Sequence, residues 1–168
     1  PSTLIGSLAV TIIPSISEQS NDIDNGKLLN TNILKSKINF SIKSAVMFSG
    51  LLLSTFIALG VPICEFLYDN TEAGTYLCVA SITMIPLGIS QITSSILNAI
   101  GLEMKSLKNY IISALLLILS IYFLPKYIGS YAMIVGYLLM SVSSSILNIS
   151  MLAKRNLINY EFLKTTLY

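Results

Sequence analysis

Glu65, Asp69 and Glu72 fall at spacings of four and three, the kind of pattern that gathers carboxylates for proton transfer or around a metal ion. They sit in a short polar segment between two long apolar runs. There a solvated hairpin accounts for them better than a catalytic set. The chain contains no His, which removes imidazole ligands, Ser-His-Asp triads and Cys-His pairs from this segment. Its two cysteines, Cys64 and Cys78, read as buried free thiols and not as a disulfide framework. No cofactor, metal or nucleic-acid partner is expected, and the chain does not read as an enzyme.

Uncharged polar residues inside apolar runs are more informative. In "ASITMIPLGISQITSSILNAIG" (80–101), Ser81, Gly88, Gln91, Ser95 and Asn98 follow spacings of seven, three, four and three, and so share one face of a helix. Tyr137, Ser141, Ser144 and Asn148 form a second stripe, and Thr3, Ser7 and Thr11 a third. Such faces either line a cavity or bind helices together through close approach and hydrogen bonds. Both readings stand for Gln91, Ser95, Asn98, Ser144, Asn148, Thr3, Ser7 and Thr11, with packing the weightier for any single residue. The simplest arrangement turns the three stripes toward a common interior. Pro86 lacks an N–H and is expected to kink its helix, with Gly88 as the second part of a hinge. The pentapeptide SSILN occurs at 94–98 and 144–148, but its flanks do not extend the match, so it reads as chance.

These residues are positioned by long apolar elements. The chain is 54% hydrophobic and 11% charged, against about 25% charged in soluble domains. Charge-free stretches cover 1–17, 44–64, 73–102, 109–125 and 127–153. Crossing a hydrocarbon layer takes about 20 helical residues. The expected fold is all-α, a polytopic membrane helix bundle. Its parts are the end of a spanning helix at 1–17, a cytoplasmic connector with an amphipathic helix at 18–43, and crossings at 44–64, 73–102, 107–125 and 127–153. A cytoplasmic tail at 154–168 leads toward a further helix of the same chain. Leu34, Ile38 and Ile42 recur every four residues among Lys35, Lys37 and Lys43, the pattern of a helix along the inner surface or of an ordinary solvated extension. The first run lacks the basic region and cleavage site of a secretory signal.

Five successive crossings place Lys27, Lys35, Lys37, Lys43, Lys105, Lys108, Lys154, Arg155 and Lys164 on one side and only Lys126 on the other. Positive residues accumulate in cytoplasmic loops, which assigns the crowded side to the cytoplasm. No Asp, Glu, Lys or Arg lies deep within a span, so no site for a coupling ion is visible.

"PSTLIGSLAVTIIPSISE", then "GVPICEFLY" closing the next helix and "ILNAIG" ending the one after, resemble the second half of the stage V sporulation protein B and polysaccharide flippase family. That family belongs with the MurJ lipid II flippases and the MATE exporters. Pro14, Ile16, Ser17 and Glu18 match a helix-ending pattern, Pro62, Ile63, Leu67 and Tyr68 an outer hairpin, and Leu97, Asn98 and Gly101 a helix end before a short basic loop. The resemblance covers 1–153. It implies part of a transporter of about fourteen helices in two bundles, joined to the rest of the same chain in the bacterial cytoplasmic membrane. The substrate so implied is an undecaprenyl-pyrophosphate-linked saccharide, a peptidoglycan or polysaccharide precursor, moved across the bilayer by alternating access. Cationic cavity residues that meet the pyrophosphate in MurJ-like members have no counterpart within these spans. The alternatives are a MATE-type exporter of small molecules and an integral-membrane enzyme of cell-envelope synthesis.

Overall fold

The computed structural model describes residues 3, 6, 7, 10, 11, 13–18 and 31–158. Over these the chain is helical apart from short turns, with no strand. The expected polar turn at 19–30 and the tail at 159–168 lie outside the described residues.

Helix α1 runs unbroken from Thr31–Tyr68, about 57 Å at 1.5 Å per residue. The amphipathic stretch and the 44–64 crossing are therefore one element. Leu34, Ile38 and Ile42 are buried, and Ala45 and Ser49 continue their stripe at spacings of three and four. The stripe meets Ile92, Ile96, Leu97, Leu152, Ile158 and Ile16 in a single apolar core and so faces neighbouring helices, not an open surface. From Leu34 to Ser49 one face of the helix is thus used for packing.

Helix α2 (Thr71–Ser81) returns alongside α1 after a tight turn in which Asp69 takes φ 50° and the Asn70 side chain accepts from the Ala73 N–H at 3.1 Å. The two helices approach closely at glycines. A Cβ on Gly74 would lie 2.6 Å from Val61 Cα, where backbone leaves no room for it, and one on Gly60 would lie 2.8 Å from Cys78 Sγ, so that side chain would have to shift. Small residues that let backbones touch are a common way of packing helices in lipid.

Helix α3 (Met84–Ala99) continues α2 at a bend of 50°. The break falls at Ile82–Thr83, one turn before Pro86. The Pro86 nitrogen cannot donate to the Ile82 carbonyl and its ring presses on that group, so the disturbance appears four residues earlier. There the chain tightens to three-residue bonds, Ile82 N–H to Val79 O at 3.3 Å and Thr83 N–H to Ala80 O at 3.0 Å. Gly88 is buried within α3, past the bend.

Helix α4 (Glu103–Phe123), the single turn α5 (Pro125–Ile128) and α6 (Tyr131–Lys154) complete the described chain. Helices α3 and α6 end in the same way. Gly101 (φ 73°) and Asn156 (φ 55°) take left-handed conformations. The next residue then donates back to a buried leucine, Leu102 N–H to Leu97 O at 2.9 Å and Leu157 N–H to Leu152 O at 3.2 Å. These stops and the core around Leu34, Leu97 and Leu152 mark the lysine-rich end of the bundle.

Helices α1, α4 and α6 are each long and apolar enough to cross a membrane, and the bent α2–α3 pair makes a fourth candidate span. Their burial is inverted relative to a protein in water. Only 11% of the most apolar stretch of α1 and 22% of that of α4 is covered by other helices. Leu51, Ile57 and Ile63 on α1 and Ile111, Leu115, Ile118 and Leu119 on α4 point outward. Thr93, Ser113, Ser141, Ser144 and Asn148 are buried. Exposed apolar area on this scale calls for a cover of lipid or of further protein, and with helices long enough to span it suggests a membrane protein.

Candidate functional site

The buried hydroxyls first need partners, and most find them in their own helix. Ser113 donates to Asn109 O at 2.9 Å, Ser120 to Leu116 O at 2.7 Å, Ser141 to Leu138 O at 3.0 Å and Thr93 to Ile89 O at 2.6 Å. A hydroxyl satisfied within its own helix can be buried at little cost and leaves the surface slim enough for a neighbour. Gly136 on α6 uses this, lying so close to α4 that a Cβ there would be 3.1 Å from Ser120 Cβ.

Asn148 reaches across helices. Its Oδ1 accepts from Asn109 Nδ2 on α4 at 3.0 Å, and its Nδ2 donates to Ser94 Oγ at 2.8 Å and Thr93 Oγ1 at 3.4 Å on α3. One fully buried amide thus ties three helices together. Nearby, Ser145 Oγ shares its proton between Ser141 O and Pro86 O, both at 2.8 Å, joining α6 to α3 near the bend.

Above this node lies a groove of about 350 Å³ between α3, α4 and α6. Helix α3 contributes Ser90, Gln91, Ser94 and Ser95, helix α6 contributes Tyr137, Ser141 and Ser144, and Tyr110 closes the α4 side. No charged side chain lines it. Ser94 belongs to both groove and node: its oxygen accepts from Asn148 and the residue also lines the groove. No protein-family model, curated protein or solved structure matches this chain. The site is therefore read from its own geometry.

Of the residues singled out by spacing, Gln91, Ser95 and Ser144 line the groove together. Asn148 lies behind its wall as a packing residue. Asn98 does not join them. It is exposed in the last turn of α3, where its carbonyl accepts from Gly101 N–H at 3.2 Å. Thr3, Ser7 and Thr11 are exposed, so the third stripe does not turn inward with the other two among the described residues. Thr11 donates to Ser7 O at 2.8 Å and satisfies itself locally. Gly6 nevertheless lies near the groove, since a Cβ there would be 3.6 Å from Gln91 Nε2.

Glu65, Asp69 and Glu72 are exposed around the α1–α2 turn, and among the described residues no three His, Cys, Asp or Glu side chains are gathered as a metal site would need. Asn109 was not singled out. Its signal was present: Ser106, Asn109, Ser113 and Ser120 recur at three, four and seven, and all four are buried.

Proposed function

We propose that the chain is part of an alternating-access transporter, a flippase that moves undecaprenyl-pyrophosphate-linked saccharide across the bacterial cytoplasmic membrane. The observation that carries this reading is the neutral, hydroxyl-lined groove beside a broken spanning helix. Its volume is in the range of small-ligand sites, and its lining is uncharged, with Ser, Gln and Tyr side chains beside the apolar Leu87 and Met140. That chemistry suits a polyhydroxylated, uncharged group better than a cation or a free acid. The bent α2–α3 pair is a broken span, a feature common in transporters whose helices change angle. The groove has none of the acidic residues that an ion-coupled exporter of small cations would use, which favours the saccharide reading.

The test is single-cysteine labelling of the full protein in cells, in a background with Cys64 and Cys78 replaced by Ala. Gln91→Cys, Ser95→Cys and Ser144→Cys should react with a membrane-impermeant maleimide, and the rate should change when synthesis of the lipid-linked saccharide is blocked. Failure of the reagent to reach any of the three in either condition would remove the groove from the transport path.

A further inference from the structure

A second site lies near the lysine-rich end, where the helical residues 13–18 lie beside α1. Lys37 Nζ donates to Ser15 Oγ, and that neutral hydroxyl is its sole partner among the described residues. An ammonium carries three donors, and this one is partly buried with no carboxylate beside it among the described residues. It opens into a groove of about 400 Å³ whose other lining residues are Thr11, Ser15, Ser36, Phe40 and Ser41.

The hydroxyls there differ in what they can still donate. Thr11 and Ser41 spend their protons on Ser7 O at 2.8 Å and Lys37 O at 2.7 Å. Ser15 accepts from Lys37 and so keeps its own proton, and the Ser36 hydroxyl has no partner among the described residues. One cation and two available hydroxyl donors thus border the same space, with no acid among its lining residues. That donor set fits a tetrahedral oxyanion. Phe40, one turn along α1 from Ser36, is exposed and provides an apolar flank.

Depth favours a lipid as the source of the anion. The charge-free run 44–64 spans about 32 Å and matches the hydrocarbon layer, which puts Lys37 about 10 Å beyond it, within reach of the headgroups. We infer that Lys37, Ser15 and Ser36 form a binding site for the phosphodiester headgroup of an anionic membrane lipid, with Phe40 against its hydrocarbon. The site requires only that α1 cross the membrane and does not depend on the flippase reading.

Native mass spectrometry of the full chain, released from detergent with phosphatidylglycerol, phosphatidylcholine or inorganic phosphate added, tests this. Phosphatidylglycerol should be retained at least fivefold more than phosphatidylcholine. Lys37→Met and Ser36→Ala should each lower that retention at least threefold, Lys37→Arg should restore most of it, and Lys43→Met should leave it within twofold. Equal retention of the two lipids, or a loss in Lys43→Met as large as that in Lys37→Met, would overturn a specific site. Displacement of the lipid by millimolar inorganic phosphate would overturn the lipid and identify free phosphate as the ligand. Ser36 is exposed, so Ser36→Ala keeps the result decisive should Lys37→Met fail to fold.

Discussion

Asn109 Nδ2 on α4 donates to Asn148 Oδ1 on α6 at 3.0 Å, and both side chains are buried. Removing either leaves the other amide short of a protein partner. Asn148→Ala should cost about 1–2 kcal/mol of bundle stability, since it also releases Ser94. A double-mutant cycle with Asn109→Ala should show coupling of about 0.5–1.5 kcal/mol in reversible unfolding from mixed micelles. Additive losses would mean that the two amides do not act as a pair.

The α1–α2 hairpin depends on bare backbone at its crossing. Gly74→Ala places a methyl group 2.6 Å from Val61 Cα, so the helices must separate, at roughly 1–3 kcal/mol. Gly50→Ala, with nothing within 4 Å, should be neutral or slightly stabilising because alanine favours helix. Thermal unfolding of both variants in the same detergent compares them directly, and equal behaviour would remove the close-packed crossing.

The bend between α2 and α3 follows from the missing donor at Pro86. Pro86→Ala restores an N–H facing the Ile82 carbonyl and should straighten part of the 50° bend. Spin labels at Thr71 and Asn98, both exposed, should then move apart by up to about 4 Å, as the summed helix lengths require. An unchanged distance would place the cause of the bend in packing, with the Ser145 contact to Pro86 O the first candidate.

The groove should be needed for transport and Asn98 should not. Ser95→Phe fills the space between α3 and α6 and should lower the rate of lipid-linked saccharide flipping by at least about tenfold, or about 1.4 kcal/mol of barrier, at unchanged melting temperature. Asn98→Ala, exposed at the helix end, should leave the rate within about twofold of wild type. A reconstituted flipping assay measures both, and normal flipping by Ser95→Phe would count against the groove as the path.

What this sequence determined by itself is the apolar, all-helical character of the chain and the polar faces of its helices, because both follow from residue type and from the 3.6-residue repeat. Gln91, Ser95 and Ser144 could be matched in advance for that reason, and Asn109 could have been found by the same spacing. Periodicity gives a face but not the neighbour that meets it. Only the packing of α3, α4 and α6 decided that Asn148 is a buried link and not a cavity wall, that Asn98 is exposed in the last turn of α3, and that Thr3, Ser7 and Thr11 stay exposed. The bend was legible as a proline but not in its position, since the strain falls on the carbonyl one turn back. Gly60 and Gly74, together with the lone Ser15 partner of Lys37, depend on contacts between segments far apart in the chain, which no local pattern encodes.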